Sequence, residues 1–266
     1  MLTTILDHKR AEIAGLDEAE LRRRALDAPA PRPFLSPLTA GAPQPVRLIA
    51  ELKRASPSRG LIAPNVDLSA MARVYAANGA AAISVLTDEK FFMGSLALLS
   101  ALRVASDLPL PLLRKDFILA RAQVYETRAA GADAMLLIVA ALGDAPDSRG
   151  NSLAELHALT LELGLTALVE VHSRAELERA LRLPGLQLVG INNRDLGTFQ
   201  VSLDTTAELR PLVPAGLRVV SESGIFSAAD VARLGALGVD AVLVGEGLMA
   251  ASDPAAKVRE LSGHAR

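Results

Sequence analysis

Four times in this chain a glycine is followed at once by an apolar run: Gly79-Ala80-Ala81-Ala82-Ile83-Ser84-Val85-Leu86, Gly131-Ala132-Asp133-Ala134-Met135-Leu136-Leu137-Ile138, Gly164-Leu165-Thr166-Ala167-Leu168-Val169-Glu170 and Gly238-Val239-Asp240-Ala241-Val242-Leu243-Val244-Gly245. Glycine is the residue that most readily takes the left-handed conformation ending a helix. A continuous apolar run suits a strand covered on both faces. The joint is therefore that of a repeated strand–helix unit. Apolar runs of this kind predict eight strands: Val46–Glu51, Ala81–Leu86, Leu110–Leu113, Ala134–Val139, Thr166–Val171, Leu186–Ile191, Leu217–Ser221 and Ala241–Val244. Between most of them lie segments of helical period, as in Leu68–Ala77, Arg121–Ala130 and Ala228–Leu237. Eight such units in 266 residues fit one closed α/β (β/α)₈ barrel, which runs to about 250 residues as a single domain. A doubly wound open sheet is the alternative, but no G-x-G-x-x-G follows any strand.

Residues 1–28 read as helical, with apolar Ile5, Ile13, Leu16, Leu21 and Leu26 among charges. A stretch rich in Pro, Ala and Gly from Ala28 to Pro45 is expected to break regular structure. The expected organisation is an N-terminal helical extension, residues 1–45, packed on a barrel of residues 46–266.

Composition narrows the function. A net charge of −2 gives no electrostatic case for nucleic acid or an anionic membrane. With no cysteine, disulfides, thiolate nucleophiles and thiolate-bound metals are excluded. His8, His157, His172 and His264 are scattered and show no metal-ligand spacing, so no metal is expected. No apolar run approaches the ~20 residues of a membrane span, and the opening residues do not read as a signal peptide. A cytoplasmic enzyme or binding protein is expected, as a monomer or weak homodimer.

In such barrels the C-terminal strand ends and the loops after them form the active site. The residues standing there are Glu51 and Lys53, then Arg114-Lys115-Asp116, Glu170, Asn192-Asn193-Arg194, Glu222-Ser223-Gly224 and Gly245-Glu246. Glu51 and Lys53, two apart, share one strand face. A structural ion-pair network is the competing reading of any single one of these charges. For Glu51, Lys53, Lys115 and Glu170 together, at successive strand ends, converging catalytic groups explain the pattern better. Ser223-Gly224 and Gly245 follow the seventh and eighth strands, where barrels commonly hold a phosphate on backbone N–H groups. Ser56-Pro57-Ser58-Arg59-Gly60 is a small loop suited to a lid, a second phosphate contact or a solvated turn.

These strand ends resemble the indole-3-glycerol-phosphate synthase family. The resemblance rests on Ile49-Ala50-Glu51-Leu52-Lys53-Arg54-Ala55-Ser56-Pro57-Ser58, Leu113-Arg114-Lys115-Asp116-Phe117, Leu168-Val169-Glu170-Val171-His172, Gly190-Ile191-Asn192-Asn193-Arg194-Asp195-Leu196 and Ser221-Glu222-Ser223-Gly224-Ile225. Ile83-Ser84-Val85-Leu86-Thr87, Phe91-Phe92, Gly94-Ser95 and the N-terminal Lys9-Arg10 also fit, so coverage runs from about residue 5 to 255. The resemblance implies a small phosphorylated substrate, 1-(2-carboxyphenylamino)-1-deoxyribulose 5-phosphate, closed to an indole with loss of CO₂ and water and no cofactor. It implies Lys115 as acid at the ketone and Glu170 as base or cation stabiliser. Lys53 and Glu51 would serve dehydration and orientation, with Asn192 and Ser223 in the catalytic set. Arg194 and Glu222 would contact substrate, Phe92 and Phe117 would flank its aromatic ring, and Ser56, Ser223, Gly224, Gly245 and the Glu246 backbone would hold phosphate. Which lysine serves which step stays open. Two departures stand out: Ser202 where Asp is frequent, and Glu246 where some members have a small hydroxyl residue. Glu246 is expected in the first turn of a helix, its carboxylate turned to solvent or an arginine. The alternatives are a catalytically silent phosphate-binding barrel and a phosphoribosylanthranilate isomerase, which would need a cysteine base.

Overall fold

A computed structural model describes residues 1–39, 46–57, 59–147 and 151–264. Eight parallel strands close into a barrel: β1 Arg47–Leu52, β2 Ala82–Leu86, β3 Leu112–Lys115, β4 Ala134–Ile138, β5 Thr166–Val171, β6 Leu188–Asn192, β7 Arg218–Glu222 and β8 Ala241–Val244. β8 pairs back to β1, Leu243 opposite Ile49. The four glycine joints are as expected: Gly79, Gly131, Gly164 and Gly238 all have positive φ, which costs a residue without a Cβ little. The expected helices fall at Leu68–Ala77, Arg121–Ala129 and Ala228–Ala236.

Several strands end later than their apolar runs. β3 takes in Arg114 and Lys115, β6 takes in Asn192, and β7 takes in Glu222. A parallel ladder continues as long as a neighbour offers backbone partners, whatever side chain faces the mouth. Leu86 pairs with Lys115 and Asn192 with Glu222, so these polar groups are held by the sheet.

The N-terminal region differs from the expected single helix. It forms α1 Leu2–Ile13 and α2 Glu18–Asp27, separated around Gly15, with the Asp17 carboxylate capping α2 by accepting from the Glu20 N–H. The break resets the helical phase. Ile5, Ile13 and Leu21 are buried as expected, but Ala25 is buried while Leu26 is 66% exposed. The stretch expected to lack regular structure contains a short helix, α3 Leu35–Thr39. The expected boundary at residues 45 and 46 falls on the edge of positions 40–45, which lie outside the described residues.

The segment wraps the barrel from end to end. Met1, Leu2 and Ile5 stand at the mouth. α2 packs along α7, Arg121–Ala129. Phe34 and Leu38 join an inner apolar cluster with Ala81, Ala82, Ala134, Leu188 and Ala241, the first residues of their strands or their neighbours. They close the N-terminal end of the barrel. Arg128 guanidinium N–H groups donate to the Ala28 and Pro29 carbonyls, and the Arg32 N–H donates to Asp133, tying the connection down.

Candidate active site

Side chains two apart on a strand face the same way, and inward residues of a (β/α)₈ barrel stack in layers drawn from alternate strands. Ile49, Leu113, Leu168 and Val220, from β1, β3, β5 and β7, are buried in one apolar cluster. Two residues further on, the same four strands present Glu51, Lys115, Glu170 and Glu222. The three carboxylates are 4%, 2% and 1% exposed. A whole layer of the barrel is thus charged, directly above an apolar one.

Burying three carboxylates is costly without partners, and the partners are specific. Lys53 Nζ lies 2.8 Å from Glu51 Oε1. Lys115 Nζ lies 3.2 Å from Glu222 Oε2 and 3.4 Å from Glu170 Oε2. His172 Nε2 lies 3.3 Å from Glu170 Oε1. Glu51 and Glu170 each have a cation besides Lys115, but among the described residues Glu222 has only the shared lysine. The electrostatics follow. Burial raises the Glu222 carboxyl, to about 8, with Glu170 and Glu51 adding repulsion against the pull of Lys115. Burial works against the Glu170 carboxylate too, but Lys115, His172 and Asn192 outweigh it and hold the group well below its usual range. Lys115 is held above the usual lysine range: burial opposes its charge, and Glu222, Glu170 and Glu51 overcome that. Glu222 fits because Gly190, on neighbouring β6, has no side chain. A Cβ there would collide with Glu222 Oε1 and crowd Leu168.

Every site residue expected from sequence lines one cleft over this layer: Glu51, Lys53, Ser56, Phe92, Lys115, Phe117, Glu170, Asn192, Arg194, Glu222, Ser223, Gly224, Gly245 and Glu246. Phe92 and Phe117 form an apolar wall, their rings 6.2 Å apart and tilted by 40°. Across from it, Ser223 and Gly224 both have positive φ (68° and 76°). Such a conformation is uncommon for a serine and is held only by its surroundings. Asn193 provides part of the hold: its Nδ2 donates to the Ser223 carbonyl and to Ser221 Oγ, while its Oδ1 accepts from Thr206.

Glu246 begins the helix after β8, α12 Glu246–Met249, as expected. Its carboxylate pairs with Arg59 at 2.7 Å and approaches Arg194 at 3.8 Å, so an arginine takes it rather than open solvent. Gly245 carries a different constraint from the expected one. A Cβ there would run into Glu51 Oε1 and come within 3.0 Å of Lys53 Nζ. Its bareness makes room for the Glu51–Lys53 pair. Ser58, in the loop after β1, lies outside the described residues.

Two participants were absent from the sequence-based set. Lys9, on α1, is completely buried and reaches Asp88 at 3.1 Å and Asp116 at 3.0 Å. Asp116 is also bound by Arg114 and by the Thr87 hydroxyl. This network docks α1 beside Lys115 and brings Met1, Leu2 and Ile5 over the cleft. No local pattern marks Lys9 among the other charges of α1. The second is His172. Glu170-x-His172 at period two and His172-x₃-Glu176 were readable as a contact chain. Among the described residues no cluster of His, Asp and Glu has the grouping of a metal site, and no helix is long and apolar enough to cross a membrane.

The chain matches the sequence profile of the family described as indole-3-glycerol phosphate synthase over residues 2–261. It is 51% identical over 273 aligned positions to the indole-3-glycerol phosphate synthase of Roseiflexus sp. (strain RS-1), covering 99% of this chain and 98% of the relative. To the enzyme of the same name from Dehalococcoides mccartyi (strain ATCC BAA-2266 / KCTC 15142 / 195) it is 57% identical over 219 positions, 81% of each chain. Among solved structures, 3-hexulose-6-phosphate synthase from Salmonella typhimurium superposes with a TM-score of 0.61 at 17% identity, over 82% of this chain and 97% of that one. That likeness shows the barrel fold alone. The profile and the near-full-length relatives settle the family: this chain belongs to the indole-3-glycerol phosphate synthases.

Proposed function

We propose that the charged layer closes the indole ring on 1-(2-carboxyphenylamino)-1-deoxyribulose 5-phosphate, giving indole-3-glycerol phosphate, CO₂ and water. The observation carrying the assignment of roles is Lys115, held protonated between Glu170 and Glu222 at the floor of a cleft with an aromatic wall. The substrate's aromatic ring lies against Phe92 and Phe117. Its phosphate sits on the backbone N–H groups after β7 and β8, at Ser223, Gly224 and Gly245, with Ser56 closing from the first loop. Glu246 offers only its backbone there, because its carboxylate is taken up by Arg59.

The ring carbon bearing the carboxylate attacks the ketone carbon. The ketone oxygen takes a proton from Lys115 and becomes a hydroxyl, leaving an iminium on the nitrogen. The C–CO₂ bond then breaks, its electron pair restores the aromatic ring, and CO₂ departs. The hydroxyl leaves as water with a proton supplied through the Glu51–Lys53 pair. Loss of a proton from the adjacent carbon completes the indole. Glu170 is the nearest carboxylate partner of the developing cation, which a buried anion stabilises strongly. Asn192 and Arg194 orient the sugar hydroxyls and the carboxylate, and Glu222 holds a hydroxyl. Because α1 of the same chain completes the cleft, no second subunit is needed. The working form is a monomer or weak homodimer, in the cytoplasm.

The test is indole fluorescence on mixing purified protein with this substrate in excess chelator. Turnover supports the reading. A raised melting temperature without fluorescence would instead mark a silent phosphate-binding barrel.

A further inference from the structure

His172 directly follows β5, two residues beyond Glu170, so the strand's period of two turns it to the same side as Glu170. Its ring is held from the other side. Glu176, in the first turn of α9, Arg174–Ala180, turns Oε2 back to accept from the His172 backbone N–H at 2.9 Å. The same oxygen lies 3.1 Å from His172 Nδ1. With Nδ1 fixed there, Nε2 is left facing Glu170 Oε1 at 3.3 Å. Glu170 Oε2 meanwhile faces Lys115 at 3.4 Å. A chain of contacts therefore runs from the helix start, through the imidazole and the carboxylate, to the lysine in the middle of the layer.

We infer that His172 is a positioning residue for Glu170: clamped by Glu176, its ring fixes one carboxylate oxygen and leaves the other turned to Lys115 and the substrate. The inference rests on the catalytic reading of Glu170 given above. The geometry also sets the charge. Both ring nitrogens face carboxylate oxygens, and a neutral imidazole would have to turn a lone pair on one of them. The doubly protonated ring sets positive charge against both, through a hydrogen bond to Glu176 and through a 3.3 Å ion-pair contact with Glu170 that lacks hydrogen-bond alignment. The surroundings agree. Burial opposes the charge, but Glu170 and Glu176 outweigh it and push His172 up to about 10. Asp195, in the loop after β6, adds a third negative charge within electrostatic reach. The opposing cation is Lys115, on the far side of Glu170. His172 is thus a fixed cation throughout the working pH range, and it keeps Glu170 ionised alongside Lys115.

The sign of the pH effect follows. Removing a cation next to a carboxylate raises that carboxylate's pKa, so the acid limb of kcat, where Glu170 becomes protonated, moves to higher pH. The experiment measures indole formation by the full chain and by His172→Gln and Glu176→Gln from pH 3 to 9.5, in assays short enough to precede acid unfolding. His172→Gln is expected to lower kcat at least ~10-fold, as misplacing a catalytic group does, with KM within about threefold. The wild-type acid limb lies below the usual carboxylate value of about 4.3, and in His172→Gln it should rise by at least about one pH unit, as expected for losing an opposite charge within a few ångströms. Glu176→Gln should change both in the same direction and less. A role confined to the β5–α9 turn would move the melting temperature and leave the limb in place. Should wild type turn over and His172→Gln keep kcat within twofold with the limb unmoved, the inference falls and the functional reading stands. A second readout does not need activity: the ¹⁵N shifts of the His172 ring, identified by their loss in His172→Gln. A doubly protonated ring up to pH 8 supports the inference even if wild type proves inactive. Titration near the ordinary value of about 6.5 overturns it.

Discussion

Lys9→Met separates docking of α1 from the chemistry below it. Methionine keeps the length of the stem and removes the ammonium. Asp116 survives the change well: it retains Arg114, the Thr87 hydroxyl and the Phe117 N–H. Asp88 does not. Its Oδ1 still accepts from the Phe91 N–H, but its buried Oδ2 has, among the described residues, only Lys9. Breaking a buried pair by removing one partner costs about 3–5 kcal/mol, because the other charge is stranded. For a chain of this size, at about 2–4 °C per kcal/mol, that lowers the melting temperature by ~6–20 °C. Lys9→Met/Asp88→Asn should recover more than half of the loss, since asparagine still caps the turn at Phe91 and strands no charge. The deficit should also depend on pH. Asp116 is held below its usual range: burial opposes this, and Arg114 and Lys9 overcome it. Its contribution is therefore present above its unfolded value of about 3.9 and is lost as pH falls through the lower folded value. Wild type accordingly loses more stability in acid than Lys9→Met does. Urea denaturation at pH 7 and pH 3.5, with thermal melts, measures all of this. A cost below about 1 kcal/mol at pH 7, or a double variant no better than the single one, would refute the reasoning. In the kinetic assay KM should rise more than kcat falls, because Met1, Leu2 and Ile5 roof the cleft while Lys115 stays in β3.

Lys115→Met should lower turnover at least ~10²-fold with phosphate affinity nearly unchanged, and Glu170→Gln should behave similarly. Steady-state kinetics with inorganic phosphate as competitor measures both, and a variant within tenfold of wild type would defeat its assignment. Glu222, raised to about 8, favours folding fully below its unfolded value of about 4.3, and that contribution is lost as pH rises through about 8. Glu222→Gln should therefore gain stability relative to wild type between pH 5 and pH 9, and equal differences at the two pH values in urea would contradict this. Glu246→Ser should change KM less than about threefold, under ~0.7 kcal/mol. Gly245→Val should abolish turnover by displacing the Glu51–Lys53 pair, and kinetics near wild type would show that the pair has room to move.

Much of the architecture was legible because it is repeated and local. A glycine that must turn left-handed, followed by a run that must be buried on both faces, states the strand–helix joint in a few residues. Strand ends were less legible. The apolar run stops where side chains begin to face the mouth, whereas the backbone ladder continues, so Lys115, Asn192 and Glu222 proved to be strand residues. α1 and α2 read as one helix because the apolar spacing survives across Gly15, although the burial of Ala25 in place of Leu26 shows that the phase does not. In the site, residue identities were readable but not their grouping. Glu222 was expected only as a substrate contact. Its place opposite Lys115 depends on the stagger of the barrel and on bare Gly190, one strand away. Lys9 was legible least of all, since its partners Asp88 and Asp116 belong to loops far along the chain.

The charge of the layer explains why so many ionised groups are tolerated beneath one small cleft. Glu51 and Glu170 contribute two negative charges, and Lys53, Lys115 and His172 three positive ones. Glu222, raised to about 8, adds a third negative charge only as pH rises past that value, so the set passes from one excess positive charge to neutrality. On the proposed chemistry, the proton that Lys115 gives to the ketone does not leave the site. As the ammonium is neutralised, an equal positive charge develops on the substrate nitrogen, and the carboxylates that faced the lysine face the iminium instead. The electrostatic work of the step is then the movement of one charge within a fixed ring of anions, with little reorganisation, which is the condition under which a preorganised site lowers a barrier most. Loss of CO₂ removes the iminium charge together with the substrate carboxylate. The surrounding carboxylates that hold Lys115 above the usual lysine range favour its reprotonation before water is expelled. A layer with one carboxylate fewer would hold Lys115 less firmly protonated and the iminium less firmly in place. Both effects fall on the same step, so above pH 8, where Glu222 is ionised, Glu170→Gln and Glu222→Gln should be less than additive in their loss of kcat, because each weakens the hold on the same moving charge.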